Sequence, residues 1–110
     1  MALTETQNGT QAATVSTEHT LGVEETHDAY FSLLVDTSNM VVGDVLILRA
    51  KVKVKTGGTA RTVARATFRD AQELAASLSI PVPNIYGIVF TLEQNAGTSR
   101  NFDWSILKSA

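Results

Sequence analysis

The chain has 110 residues, which suits one domain and is too short for two of ordinary size. Apolar residues make up 44% of it and cysteine is absent, so a core is possible but a disulfide framework, a thiolate metal site and a cysteine nucleophile are excluded. The net charge of −2 hides an asymmetry, because residues 1–48 carry seven acids and no Lys or Arg, whereas residues 49–69 carry seven cations and no acid.

The N-terminal segment, residues 1–16, is polar and shows no periodicity. It lacks the basic region and the apolar stretch of a secretory signal, and no apolar run in the chain approaches the length of a membrane helix, so we expect a soluble protein made inside a cell. Such a segment is seldom ordered unless a surface holds it. We predict an arm over residues 1–16, lying against a partner subunit or against the domain itself, and a single domain over residues 17–110. If residues 1–16 form such an arm, their deletion should leave the melting behaviour of the domain nearly unchanged.

Alternation of apolar and polar residues then predicts a series of strands. The first two cover residues 17–23 and 28–36, and the second has Ala29, Phe31, Leu33 and Val35 on one face. The clearest strand covers residues 45–54, and its apolar face carries Leu46, Leu48, Ala50, Val52 and Val54.

Two glycines, Gly57 and Gly58, separate this strand from another over residues 60–69, which predicts a β-hairpin. We predict the register that places Leu46 opposite Phe68 and Val54 opposite Ala60, because it makes one face apolar and the other cationic. A slip by one residue would bury unpaired cations, which is costly. The cationic face carries six side chains: Arg49, Lys51, Lys53, Arg61, Arg65 and Arg69.

Residues 70–79 favour a helix by composition but are few, so a short helix capped by Asp70 and an irregular loop both remain open. Beyond this segment, Pro81 and Pro83 predict extended chain at a sheet edge.

Two further strands are predicted over residues 85–92 and 100–108, the second with Phe102, Trp104 and Ile106 on one face. Short strands joined by tight turns favour an all-β fold. We therefore predict an antiparallel β-sandwich or jelly roll with an extended N-terminal arm.

The sequence contains no set of residues with the spacing of a catalytic or metal-binding site. His19 and His27 lie on different predicted elements, and the acids beside His27 fit a solvated loop better than a metal site. The glycines of residues 56–61 lack the Lys-Ser/Thr element of a phosphate-binding loop. We expect no enzyme activity, no cofactor and no metal.

The cationic face admits three interpretations. It is either a solvated outer face, a nucleic-acid surface or a protein contact. The acidic overall charge and the scarcity of interleaved aromatic residues argue against nucleic acid. Val45, Ile47 and Val63 on the same face, together with four arginines, favour a protein partner rich in carboxylates. The six cations are the candidate partner-binding residues.

Several sequence motifs are spread over residues 17–107. They include Val35-Asp36, Met40-Val41-Val42-Gly43-Asp44-Val45-Leu46, Gly57-Gly58-Thr59-Ala60-Arg61, Val82-Pro83 and, within residues 90–107, Gln94-Asn95-Ala96-Gly97-Thr98-Ser99-Arg100 and Phe102-Asp103-Trp104. This pattern resembles a set of small virion proteins of tailed bacteriophages. Glu93 stands where Lys is common in that set, and residues 70–79 depart from its usual sequence.

The resemblance implies a structural protein of the virion, most similar to head decoration or cement proteins. Such proteins sit on the outside of the capsid lattice, often as trimers, and bridge neighbouring capsid subunits. It thus implies the major capsid protein as partner, a homo-oligomer with a trimer expected, a location on the capsid surface and no membrane. Two alternatives stay open: a tail, neck or fibre-associated component, and a carbohydrate-binding module using Tyr30, Tyr86 or Trp104.

Overall fold

The computed structural model of the chain describes residues 3–26, 28–72, 76–77, 82–84 and 86–109. Within these residues the secondary structure consists of strands, and there is no helix. The strands, in chain order, are β1 (Leu3–Ala12), β2 (Glu18–Glu25), β3 (Ala29–Val35), β4 (Val45–Val52), β5 (Arg61–Arg69), β6 (Ala76–Ser77), β7 (Val82–Asn84), β8 (Ile88–Ala96) and β9 (Asn101–Ser109).

The strands form two antiparallel sheets that pack together as a sandwich. Sheet A has the order β1-β9-β3-β6, with the short β7 also paired to β3. Sheet B has the order β2-β8-β4-β5. The prediction of an all-β antiparallel sandwich is confirmed.

The core lies between the two sheets and is built from alternate residues of the long strands, as the period of two requires. Sheet A contributes Phe31, Leu33, Val35, Phe102, Trp104 and Ile106. Sheet B contributes Leu21, Leu46, Leu48, Ala50, Ile88, Phe90 and Leu92. The apolar faces predicted for β3, for most of β4 and for β9 are therefore the buried faces.

The β4–β5 hairpin follows the predicted register at its open end and departs from it near the turn. The three pairs observed as predicted are Leu46–Phe68, Leu48–Ala66 and Ala50–Ala64. A β-bulge at Val63 then adds one residue to β5 and sets Val52 opposite Arg61. The predicted pairing of Val54 with Ala60 is wrong, because β4 ends at Val52 and Val54 is 73% exposed.

Residues Leu3–Ala12, which fall within the predicted arm, form β1 at the edge of sheet A. This strand pairs antiparallel with β9 along its length. Its positions opposite the buried apolar residues of β9 are Gln7, Gly9 and Gln11, so these positions show no apolar alternation for a sequence pattern to reveal. Of the two placements considered for this segment, the structure has it against the domain itself, and an arm separate from the domain is not confirmed.

The segment predicted as a short helix or a loop is described only in part. Ala76–Ser77 are not helical but form β6, because they pair with the free edge of β3 at Leu34 and Val35. Residues 73–75 and 78–81, with Pro81 among them, lie outside the described residues. Pro83 lies in β7 at a sheet edge, as predicted.

Candidate docking surfaces

The structure divides the six candidate cations between two strands of sheet B. Arg49 and Lys51 lie on β4, with Lys53 just after it, and β4 is flanked on both sides by β8 and β5. The other three are on β5, which among the described strands pairs with β4 alone: Arg61, Arg65 and Arg69. The prediction that Arg61 shares the cationic face is wrong, because the bulge at Val63 sets Arg61 opposite Val52, which packs against the core, and so places Arg61 on the other face of β5. The remaining five cations form two rows with different surroundings.

The cations of the β4 row are neutralised by acids of β2 and β8 in the same sheet. The pairs are Lys51 Nζ with Glu18 Oε2 at 2.9 Å, Arg49 Nη1 with Glu93 Oε1 at 2.8 Å, and Lys53 Nζ with Glu24 Oε2 at 3.1 Å. Hydrogen bonds from Lys51 and from the Thr91 hydroxyl hold the pKa of Glu18 below its ordinary value. For this row, the acidic partners are therefore side chains of the same chain.

The β5 row, called here the arginine row (Arg65 and Arg69), is exposed to solvent. Within the described residues no carboxylate forms an ion pair with either of them or with Arg61. Arg65 lies directly opposite Arg49 in the ladder, a like-charge pairing that is unfavourable unless other groups offset it. Glu93 and Glu18 offset it at Arg49, and Arg65 remains open to a partner.

β5 is an edge strand of sheet B, so on one side its backbone pairs with none of the described strands. An edge strand is a template for pairing with another chain unless charges or bulges discourage it. This strand has both features, with three arginines and a bulge at Val63. Contact through the arginine side chains is therefore favoured over addition of a partner strand.

A second surface lies on the outer face of sheet A, where a shallow open groove of about 640 Å³ runs along β1, β9 and β3. Asn8, Ser105 and Leu34 lie side by side across these strands, and Leu34 is 42% exposed. Three carboxylates border the groove: Glu5, Asp36 and Asp103. We call this surface the acidic groove.

The groove carboxylates accept hydrogen bonds only from neutral groups among the described residues. Asp103 accepts from the Thr10 hydroxyl at 2.5 Å, and Glu5 accepts from the Asn8 amide. Asp36 accepts from the Ser38 backbone N–H at 2.9 Å, which holds the pKa of Asp36 below its ordinary value. The sequence pattern did not reveal this groove, because only the pairing of β1 with β9 brings Glu5 to it. The available signal was the acidic excess of residues 1–48.

Residues of the bacteriophage-like motifs form a buried polar cluster where the β8–β9 turn meets the loop before β4. Asp44 is 1% exposed, and its Oδ2 accepts from Arg100 Nε at 2.9 Å and from the Val41 N–H at 3.0 Å. Burial alone would raise the pKa of Asp44, but the hydrogen bonds from Val41, Arg100 and Thr98 outweigh it, and the pKa lies below its ordinary value.

Gln94 completes this cluster on the other side of the turn. It is fully buried, its Oε1 accepts from the Arg100 N–H at 3.1 Å, and its Nε2 donates to the Thr98 carbonyl at 2.6 Å. The contacts of Asp44 fasten the loop before β4 to the β8–β9 turn, and those of Gln94 lie within that turn. The motif residues in this cluster therefore have a structural role, which the sequence did not indicate.

Within the described residues, the side chains considered for metal or ligand binding do not lie together in one site. No set of three or more His, Cys, Asp or Glu side chains is placed to hold a metal ion there. His19 Nε2 accepts a hydrogen bond from the Thr14 N–H at 3.1 Å, and His27 lies outside the described residues. Of the aromatic residues considered for carbohydrate binding, Trp104 is buried, whereas Tyr30 and Tyr86 are exposed.

Across the described ranges, no helix has the length and apolar character needed to cross a membrane. Comparison of the chain with models of protein families, with curated proteins and with solved structures found no match. A functional assignment therefore depends on the two charged surfaces and on the sequence motifs.

Proposed function

We propose that the protein is a capsid decoration, or cement, protein of a tailed bacteriophage, which binds the outside of the head and bridges major capsid subunits. The observation that carries the proposal is the arginine row, an exposed edge whose cations have no carboxylate partner among the described residues. Arginine forks bind carboxylates in a fixed geometry, so the row suits acidic neighbours in a shell. The resemblance to small virion proteins supplies the location.

We further propose that the sandwich is a jelly roll. Its strand orders, β1-β9-β3-β6 and β2-β8-β4-β5, support this topology. The chain passes between the sheets at nearly every connection, as two interlocked Greek keys require. The jelly roll recurs in viral capsid domains, which agrees with a structural role in a virion.

The mechanism of such a protein is repetition of weak contacts. An exposed ion pair contributes only about 0.2–1 kcal/mol, so one arginine row gives low affinity for a single subunit. Contacts that recur on a lattice raise the effective concentration of each further contact and give strong attachment overall. The proposal therefore predicts binding to assembled heads and little binding to free capsid subunits.

Co-sedimentation tests this prediction directly. Purified protein is mixed with heads that lack it and, separately, with unassembled major capsid protein. We expect the protein to sediment with the heads, to be released as the salt concentration rises, and to stay apart from the unassembled subunits. Protein that remains in the supernatant with intact heads at low salt would refute the proposed function.

A further inference from the structure

We propose that a second copy of this chain is the acidic neighbour of the arginine row, with the row of one copy docked in the acidic groove of the next. This inference rests on the proposed function in one respect, since both treat the arginine row as a docking surface. It adds the identity of the partner and the surface that receives the row.

Charge is the first argument for this pairing. The row presents two cations and the groove three carboxylates, and no ion pair within the described residues satisfies either set. The surfaces belong to different sheets of one molecule, the edge of sheet B and the outer face of sheet A. Each surface has the charge that the other lacks.

Length is the second argument. Arg65 and Arg69 are four residues apart on one strand, a separation of about 13 Å at the usual rise of a β-strand. Glu5 lies opposite Leu107, which is four residues from Asp103 on β9, so Glu5 and Asp103 are about 13 Å apart along the groove. The row and the groove are therefore similar in length, and more than one ion pair can form in one alignment.

The apolar groups of the two surfaces also correspond. Val63 on β5 is 51% exposed, and Leu34 in the groove is 42% exposed. The aliphatic stems of arginine side chains cover apolar surface while their guanidinium groups reach carboxylates. Docking of this kind removes Leu34 and Val63 from water and lowers the screening of the ion pairs.

The geometry of the contact is head-to-tail, because two different surfaces meet. Contacts of this kind produce a closed ring when the rotation between copies closes and an open chain when it does not. In either assembly every copy both offers its row and receives another, which suits a protein repeated over a lattice.

Sedimentation velocity of the full chain at low and high salt tests the inference, with two charge reversals, Arg65→Glu and Asp103→Arg. We expect the wild-type protein to self-associate at low salt, and each variant alone to self-associate at least about tenfold more weakly. An equimolar mixture of the two variants should regain association, because one retains the groove and the other retains the row. The double variant, which exchanges the charges, should regain it as well.

The matched control is Lys55→Glu, which makes the same change in net charge at an exposed residue outside the row. It should leave self-association unchanged. A wild-type chain that stays monomeric at low salt, a mixture that fails to regain association, or a control that weakens association as much as Arg65→Glu would overturn the inference.

The head-binding assay separates this inference from the proposed function. If the wild-type chain is monomeric in solution but sediments with heads, and Arg65→Glu weakens that attachment, the inference fails and the proposed function stands. If self-association follows the charge pattern but no protein sediments with heads, the proposed function fails and the inference stands.

Discussion

Asp44 shows how a single buried carboxylate fixes the end of the sandwich nearest the β8–β9 turn. It joins the loop before β4 to Arg100 and to the Thr98 N–H, and its main chain accepts from the Asp70 N–H at 2.9 Å. Gly97 has a φ of +93°, and a Cβ there would lie 2.0 Å from Asp44 Oδ1. Glycine is therefore required at position 97 by the backbone conformation and by the space that Asp44 fills.

Replacing Asp44 with Asn tests this role. The variant keeps the size of the side chain but removes the charge that Arg100 contacts, so we expect the free energy of unfolding at pH 7 to fall by about 2 kcal/mol in urea titration. Because the folded-state pKa of Asp44 lies below its ordinary value, its charged form stabilises the fold above about pH 4, and this contribution is lost as the pH falls through the folded-state pKa.

The difference between the wild type and Asp44→Asn should therefore shrink as the pH drops below about 4. Asp28→Asn, at an exposed carboxyl, is the control and should match the wild type at every pH. A constant difference between wild type and Asp44→Asn down to the lowest pH at which the chain folds would count against the ion pair as the cause.

At the scale of elements, the two edge strands β1 and β5 differ in what they contribute. Over residues 4–12, β1 adds no large apolar side chain to the core, but Gly9 packs on Trp104, and the Gln7 amide bonds both Val23 and Glu25 of β2. It thus covers the edge of β9 and links the two sheets. β5 leaves its edge open and places arginines along it.

Deleting residues 1–12 tests whether β1 is part of the domain. The deletion would leave the edge of β9 unpaired and uncover Trp104, so we expect the melting temperature to fall by about 10 °C or more, equivalent to about 2 kcal/mol for a domain of this size. Asn8→Ala, on the outer face of β1, is the control and should melt within about 3 °C of the wild type. An unchanged melting temperature after the deletion would support a dispensable arm instead.

Reversing the charge of one cation in the β4 row and of one in the arginine row tests whether the two rows have different roles. Lys51→Glu sets an acid beside Glu18, so we expect it to lower the free energy of unfolding by about 1 kcal/mol. Arg65→Glu relieves the like-charge pairing with Arg49 and should leave stability unchanged or slightly raised. Arg61→Glu with Arg65→Glu should nevertheless weaken attachment to heads in co-sedimentation. Equal losses of stability in Lys51→Glu and Arg65→Glu would contradict this division.

Alternation in the sequence was sufficient to predict the faces of β3 and β9 and three pairs of the β4–β5 hairpin, because burial imposes a period of two on apolar residues. It could not predict β1, whose inward residues are polar or glycine, nor the bulge at Val63, which no turn residue marks. The neutralisation of Lys51 by Glu18 also escaped prediction, since it depends on the order of strands distant in sequence. The same holds for the acidic groove.

For the whole molecule, the small net charge conceals two oppositely charged surfaces on separate sheets. The acids of β2 and β8 neutralise the β4 row, which leaves the arginine row on sheet B and the acidic groove on sheet A. A molecule of this design suits attachment to neighbours through repeated, salt-sensitive contacts. That attachment is the central claim of the proposed function.

The most direct test is to locate and count the protein on purified particles, by reconstruction of the head together with quantitative mass spectrometry against the major capsid protein. We expect one set of copies at every equivalent position of the outer head lattice, in fixed proportion to the capsid subunits. A small, fixed number of copies confined to the tail, the neck or a single vertex would contradict the account.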